Sequence, residues 1–111
     1  MLLALNRNKE ALDCFEKALT VNPNYLLAAH NKGHVLSNLG RHQEAIACFD
    51  QVIAKEPNFA KSWWGKGFSL DKLGQNREAA MCYRKYVEMP PPLDEKSLAH
   101  ARQRLWELGF T

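Results

Sequence analysis

A step of 34 residues runs through this sequence and restricts its fold more than any other feature. Prolines recur at positions 23, 57 and 91, and the three cysteines stand at positions 14, 48 and 82. Between these columns, Lys32-Gly33 and Leu39-Gly40 return as Lys66-Gly67 and Leu73-Gly74. A fixed period of this length indicates a supersecondary unit that is repeated and stacked on its neighbours.

Each copy has the pattern of two helices joined at a glycine. Gly33 and Gly67 lie inside helical patterns, where glycine costs about 1 kcal/mol against alanine, so we expect them to mark close approach between paired helices. Gly40 and Gly74 suit the left-handed residue that ends a helix. The second helices supply facing alanines and aromatic fillers, namely Ala11, Ala45, Ala79, Phe15, Phe49 and Tyr83.

These columns resemble the tetratricopeptide repeat. Trp63 stands in the family's tryptophan column, where the preceding copy has Ala29, and the family's leucine column holds Lys32 and Lys66. The resemblance implies an all-α fold, in which antiparallel helix pairs stack into a right-handed α-solenoid. It also implies a protein-interaction module, because members of this family usually bind peptide segments of other proteins in the concave groove.

The repeat frame divides the 111 residues of this single domain into four parts. These are a partial first repeat over 1–24, a second repeat over 25–58, a third over 59–92 and a C-terminal capping helix over 93–109. Residues 1–5 fit the tail of a first helix, which places the second helix of that repeat at about 9–21. An uncapped end leaves core-type surface in water, so a homo-oligomer through the N-terminal end is a hypothesis.

The last helix follows a run of three prolines and has one apolar stripe. Asp94 suits its N-cap and Gly109 its end. The stripe consists of Leu98, Ala101, Leu105 and Leu108. His100, Arg104 and the other polar residues are expected on the outside, as in a helix that caps a solenoid.

Composition excludes several classes of protein. The net charge of +3 is too small to indicate nucleic-acid binding. No apolar run reaches the length of about 18 residues that a membrane span requires, and the apolar start is too short and lacks the basic leader of a signal peptide. Equivalent cysteines of a solenoid lie at successive steps along it and do not converge on one point, so we expect neither a disulfide nor a metal or cofactor. Free cysteines suit a reducing compartment, and we therefore expect a cytoplasmic location.

The family resemblance also names the residues that would line the groove, since the first helix of each repeat faces it. The peptide-binding set is then His30, Asn31, His34, Asn38, Lys61, Trp64, Phe68 and Lys72. Trp64 and Phe68 lie one turn apart, and outward aromatic side chains supply the large contact area of binding hot spots. The alternative is that the last helix covers this pair and makes it part of the core.

One subtype of the family grips the C-terminal carboxylate of chaperone tails with five polar residues. Asn31 and Lys61 match two of these places, while Gly65 stands where the arginine would be. Asparagine and lysine are common surface residues, so this match is weak.

Catalysis is not expected from these residues. His30 and His34 have the spacing of a metal-binding pair, but the zinc-protease pattern needs a glutamate where Asn31 stands. A pair of groove-lining histidines is favoured over a metal site, and neither a nucleophile with its partners nor a phosphate-binding loop is recognisable.

The sequence therefore predicts a scaffold that binds a peptide segment of a partner protein and is not an enzyme. Two alternatives stay open. The chain can be a self-association segment, or it can be a regulatory appendage of a larger multidomain protein or enzyme.

Overall fold

A computed structural model of the chain describes residues 2–91 and 93–110, with side chains from residue 7 onwards. All regular structure in this part is helical. The helices are α1 Leu2–Val21, α2 Leu26–Asn38, α3 His42–Lys55, α4 Ala60–Lys72, α5 Asn76–Val87 and α6 Glu95–Glu107. Each helix packs against the next one along the chain, and α2 also contacts α4. This all-α helical-repeat solenoid confirms the predicted fold class.

Glycines end the first helix of each full repeat and the last helix of the chain. Gly40, Gly74 and Gly109 have φ angles of 81°, 79° and 79°, in the left-handed region that favours glycine. After α2, the amide of Arg41 donates to the carbonyl of Leu36 at 2.9 Å, which closes the wide turn of a Schellman motif. The predicted role of these glycines is confirmed.

The start of the chain differs from the sequence prediction. We expected the tail of one helix over residues 1–5 and a separate helix from about residue 9, but α1 is continuous from Leu2 to Val21. Asn6 stands where the other repeats have Gly40 and Gly74. Without glycine, the left-handed turn is less favourable than straight helix. The core positions expected for Leu2 and Leu5 lie outside the described side chains.

Phe49 joins the two full repeats. Its ring is 1% exposed and lies against two glycines of the first helices. A Cβ atom on Gly33 would lie 2.9 Å from Phe49 Cε1, and one on Gly65 would lie 2.6 Å from Phe49 Cζ. The close approach expected at Gly33 is present, and Gly65 adds a second contact that the repeat pattern did not indicate.

The core is otherwise close to the predicted one. Tyr83 is buried against Gly67, and Ala45 and Ala79 are fully buried. Two of the three equivalent cysteines, Cys48 and Cys82, are buried, whereas Cys14 is exposed. Leu73 of the repeated Leu-Gly column is 36% exposed, since it lies at the helix end beside Gly74.

The C-terminal helix is capped as predicted. A carboxylate oxygen of Asp94 accepts a hydrogen bond from the amide of Ser97 at 2.9 Å, which satisfies one of the unpaired donors of the first turn. Ala101 and Leu105 are buried against α5 and its neighbours.

We expect Gly65→Ala to destabilise the fold by about 1–3 kcal/mol, because the added methyl group would overpack against the buried ring of Phe49. This reverses the usual order, in which alanine stabilises a helix interior by about 1 kcal/mol. Urea denaturation followed by circular dichroism measures the change.

The Phe49→Leu background provides the control. Without the ring, Gly65→Ala should become neutral or stabilising, so the two substitutions should show a large coupling energy. Additive effects would mean that the ring does not require the glycine.

Candidate functional site

An open groove of about 590 Å³ lies between α2, α4 and the start of α6. We call it the main groove. It contains four of the eight residues predicted from the sequence, which are His30, His34, Lys61 and Trp64. Phe68 stacks on Trp64 with ring centroids 5.2 Å apart, and Lys72 Nζ lies 5.2 Å from the Phe68 centroid.

Asn31 and Asn38 are not among the residues that line this groove. Asn31 is half-buried and Asn38 is exposed. The predicted set is thus divided into a cluster at the groove, a neighbouring pair formed by Phe68 and Lys72, and two asparagines elsewhere on α2.

Six residues that the repeat pattern did not single out also line the groove: Asn58, Phe59, Tyr86, Leu93, Asp94 and Ser97. A signal for two of them was present. Phe59 and Leu93 follow two residues after the prolines at 57 and 91, in the column of Tyr25. An apolar column in an interhelical loop indicates a packed or binding position, because loops are otherwise polar.

His30 is held in the neutral form at the base of the groove. Its Nδ1 atom is 2.9 Å from the hydroxyl of Ser62, and its ring centroid lies 5.4 Å from those of both Phe49 and Phe59. Burial, followed by the positive charges of His34 and Lys61, lowers the pKa of His30 to about 4. At neutral pH the imidazole is therefore an uncharged hydrogen-bonding group.

The last helix covers part of the aromatic pair. His100 of α6 lies with its ring centroid 5.4 Å from Trp64 and 6.0 Å from Phe68. Both aromatic side chains are half-buried, and Trp64 still lines the main groove. The cover by the last helix that one alternative expected is thus present on one side of the pair, while the groove side of Trp64 is open.

An ion pair attaches α6 to the repeat. Asp71 accepts hydrogen bonds from Nε and NH2 of Arg104, each at 2.7 Å, and from the hydroxyl of Tyr83 at 3.1 Å. Burial alone would raise the pKa of Asp71, but Arg104 and Tyr83 hold it below its ordinary value.

The expected outward position of His100 and Arg104 is therefore wrong. Both face α4, because Asp71 offers a carboxylate partner and the aromatic pair offers a surface for the imidazole.

Two buried polar atoms beside the groove have no hydrogen-bond partner in the described part of the chain. They are Nε1 of Trp64 and Nδ1 of His100. An unpaired buried donor costs about 1–3 kcal/mol and is unusual in a native protein.

Two other kinds of site are absent from the residues that the structure describes. Among them, no group of three or more histidine, cysteine, aspartate or glutamate side chains is arranged to hold a metal ion. None of the described helices is long and apolar enough to cross a membrane.

Two family models of the tetratricopeptide repeat match the sequence, one over residues 2–66 and the other over residues 60–92. The first alone covers more than half of the chain, so the chain belongs to the tetratricopeptide repeat family. This family is generally a non-catalytic fold for protein interaction. A comparison with curated proteins gave no match.

Solved structures share the fold at low sequence identity. The first repeat domain of human RPAP3 matches with a TM-score of 0.83 and 19% identity, over 96% of this chain and 84% of that one. The first repeat domain of Spaghetti (RPAP3), bound to the HSP90 peptide SRMEEVD, has a TM-score of 0.82 and 19% identity, over 96% and 86%. MamA from Desulfovibrio magneticus RS-1 has a TM-score of 0.79 and 24% identity, over 98% and 61%.

We expect Asp71→Asn to loosen α6 and to cost about 1–2 kcal/mol, because the bidentate partner of Arg104 is lost. Hydrogen exchange measures the effect locally, through lower protection of the amides of Ala101 and Leu105. Glu44→Gln is the matched control, since it removes an exposed ion pair with Arg41 and should change little. Equal exchange in both variants would contradict an attachment role for Asp71.

Lower pH should destabilise the fold between about 6.5 and about 4, because unfolded His30 takes up a proton more readily than folded His30. The stability is fully present above pH 6.5 and is lost as the pH falls through this window. Since His30 is only partly buried, the loss is on the order of 1–2 kcal/mol. Urea denaturation at a series of pH values measures it.

His30→Gln should flatten this slope, leaving the part that arises from His100, whose pKa burial also lowers. His34→Gln should retain most of the slope, because burial is the largest cause of the lowered pKa of His30. An unchanged slope in His30→Gln would assign the effect to other groups.

Proposed function

We propose that the chain binds a short peptide segment of a partner protein in the main groove. The observation that supports this most directly is the composition of the groove wall. The wall receives Phe49 from α3, Trp64 from α4 and Tyr86 from α5. Phe59 reaches it from the loop before α4. Phe49 and Tyr86 are buried and contribute little surface, whereas the half-buried rings of Phe59 and Trp64 offer rigid aromatic contact area of the kind that peptide recognition uses.

Polar groups at the groove would orient the peptide. Lys61 and His34 are exposed at its edge, where an ammonium group favours an acidic residue of the ligand. The Nε1–H of Trp64 is buried and has no partner among the described residues, so it would donate to a backbone carbonyl of the peptide only if the indole turned towards the groove. The neutral ring of His30 can accept or donate without the desolvation cost of a charge.

Gly65 argues against the chaperone-tail subtype. In that subtype an arginine stands at this place, but a Cβ atom here would already lie 2.6 Å from Phe49 Cζ. An arginine could enter only if the buried ring moved. We therefore propose an internal or apolar-rich peptide segment as ligand, and a C-terminal carboxylate is not the feature that this groove selects.

Selection from a random-peptide display library on the immobilised chain tests the proposal. Selected peptides should carry apolar or aromatic residues next to an acidic one, and synthetic copies should bind with micromolar Kd in calorimetry. The double variant His34→Ala, Lys61→Ala should bind them at least ten-fold more weakly, because it removes the exposed polar edge and leaves the core unchanged.

Lys17→Ala on the exposed surface of α1 is the matched control for loss of one positive charge. It should leave the affinity unchanged. Selected peptides that bind the double variant as well as the wild type would exclude the main groove as their site. The peptide SRMEEVD serves as a comparison and should bind more weakly than the selected sequences.

A further inference from the structure

A second depression, of about 500 Å³, lies between the end of α1, the first turns of α2 and the end of α3. We call it the notch. It shares no lining residue with the main groove, so binding at the notch does not depend on the proposed function of that groove.

In the next repeat, the position equivalent to the notch is occupied by the side chain of Trp63. Trp63 donates from Nε1 to the carbonyl of Pro57 at 2.7 Å, and Lys85 Nζ lies 5.9 Å from the centroid of its ring. One repeat earlier, 34 residues upstream, the counterparts of these three residues are Ala29, Pro23 and Gln51. All three of these line the notch.

The notch is therefore the place of a tryptophan that this repeat lacks. Ala29 offers a methyl group where Trp63 has an indole, and Leu19 contributes apolar surface from α1. The carbonyl of Pro23 is the counterpart of the acceptor that Trp63 uses.

The charge at the notch also differs from that of the next repeat. Lys66 pairs with Asp50 at 2.6 Å, but its counterpart Lys32 forms no ion pair in the described part of the chain. Lys55, also at the notch, donates to the side-chain oxygen of Asn24. Among the described residues, neither ammonium group has a carboxylate partner. Both border an apolar depression, and they favour an acidic ligand.

We propose that the notch binds a tryptophan side chain of a partner protein, flanked by acidic residues. The indole takes the position that Trp63 fills in the next repeat, and its N–H donates to the carbonyl of Pro23. A flanking carboxylate pairs with Lys32 or Lys55.

Proton–nitrogen correlation NMR of the whole chain tests this with three capped tripeptides, Glu-Trp-Glu, Glu-Ala-Glu and Lys-Trp-Lys. Glu-Trp-Glu should shift the amides of Leu19, Ala29 and Lys32 in a saturable way. Lys-Trp-Lys should bind at least ten-fold more weakly, and Glu-Ala-Glu should cause no saturable shift. Equal shifts with all three peptides, or shifts only at the main groove, would overturn the proposal.

Ala29→Trp fills the notch from within and should abolish the response to Glu-Trp-Glu. Met81→Trp is the matched control, because it adds the same side chain at an exposed position of α5, a helix that does not line the notch, and should leave the response intact. The double variant Lys32→Glu, Lys55→Glu tests the charges without filling the space, and it should weaken binding of Glu-Trp-Glu at least ten-fold. Undiminished binding in that variant would overturn the proposed charge selection.

A second copy of the chain is the competing occupant, since Trp106 on α6 is 73% exposed and precedes Glu107. Sedimentation velocity at rising concentration decides between the two. Monomers at all concentrations agree with a foreign partner. If the chain self-associates, and if Trp106→Ala and Ala29→Trp each abolish this self-association, the proposal of a foreign partner would be overturned in favour of a second copy.

Discussion

The contact of Phe49 with two glycines is the packing constraint on which the rest of this structure depends. The ring comes from the second helix of one repeat and lies against Gly33 of its own repeat and Gly65 of the next. Because interiors are close-packed, this one ring sets how near α2, α3 and α4 approach one another. The same ring forms part of the wall of the main groove. Stability and the shape of the main groove therefore depend on the same side chain.

The C-terminal helix shapes the groove as much as the repeats do. A helix that only shielded the solenoid from water would need an apolar face and a polar one. In this chain α6 also presents Arg104 to Asp71 and His100 to Trp64. The start of the same helix, with Asp94 and Ser97, lines the main groove. What remains accessible is the main groove.

Much of the fold could be predicted from the sequence because its determinants are local. Helix-ending glycines, the capping aspartate and the apolar stripes act within one turn, and each repeats at the same step. The prediction failed at Asn6, where a missing glycine lets α1 continue. Four of the thirteen residues that line the main groove, among them His30 and Trp64, were also named in advance, through the family resemblance. Tyr86 could not be, because its place at the groove depends on how three helices meet.

The sequence by itself determined the repeat, the helix boundaries of the two full repeats and the family, since these follow from short-range backbone preferences and a 34-residue period. Tertiary structure alone decided which side chains meet across repeats. It placed Gly65 against Phe49 and paired Asp71 with Arg104, 33 residues away. It also left the space at Ala29 unfilled. The physical reason is that periodicity specifies the face of a helix, whereas contacts and cavities depend on the distance between helices.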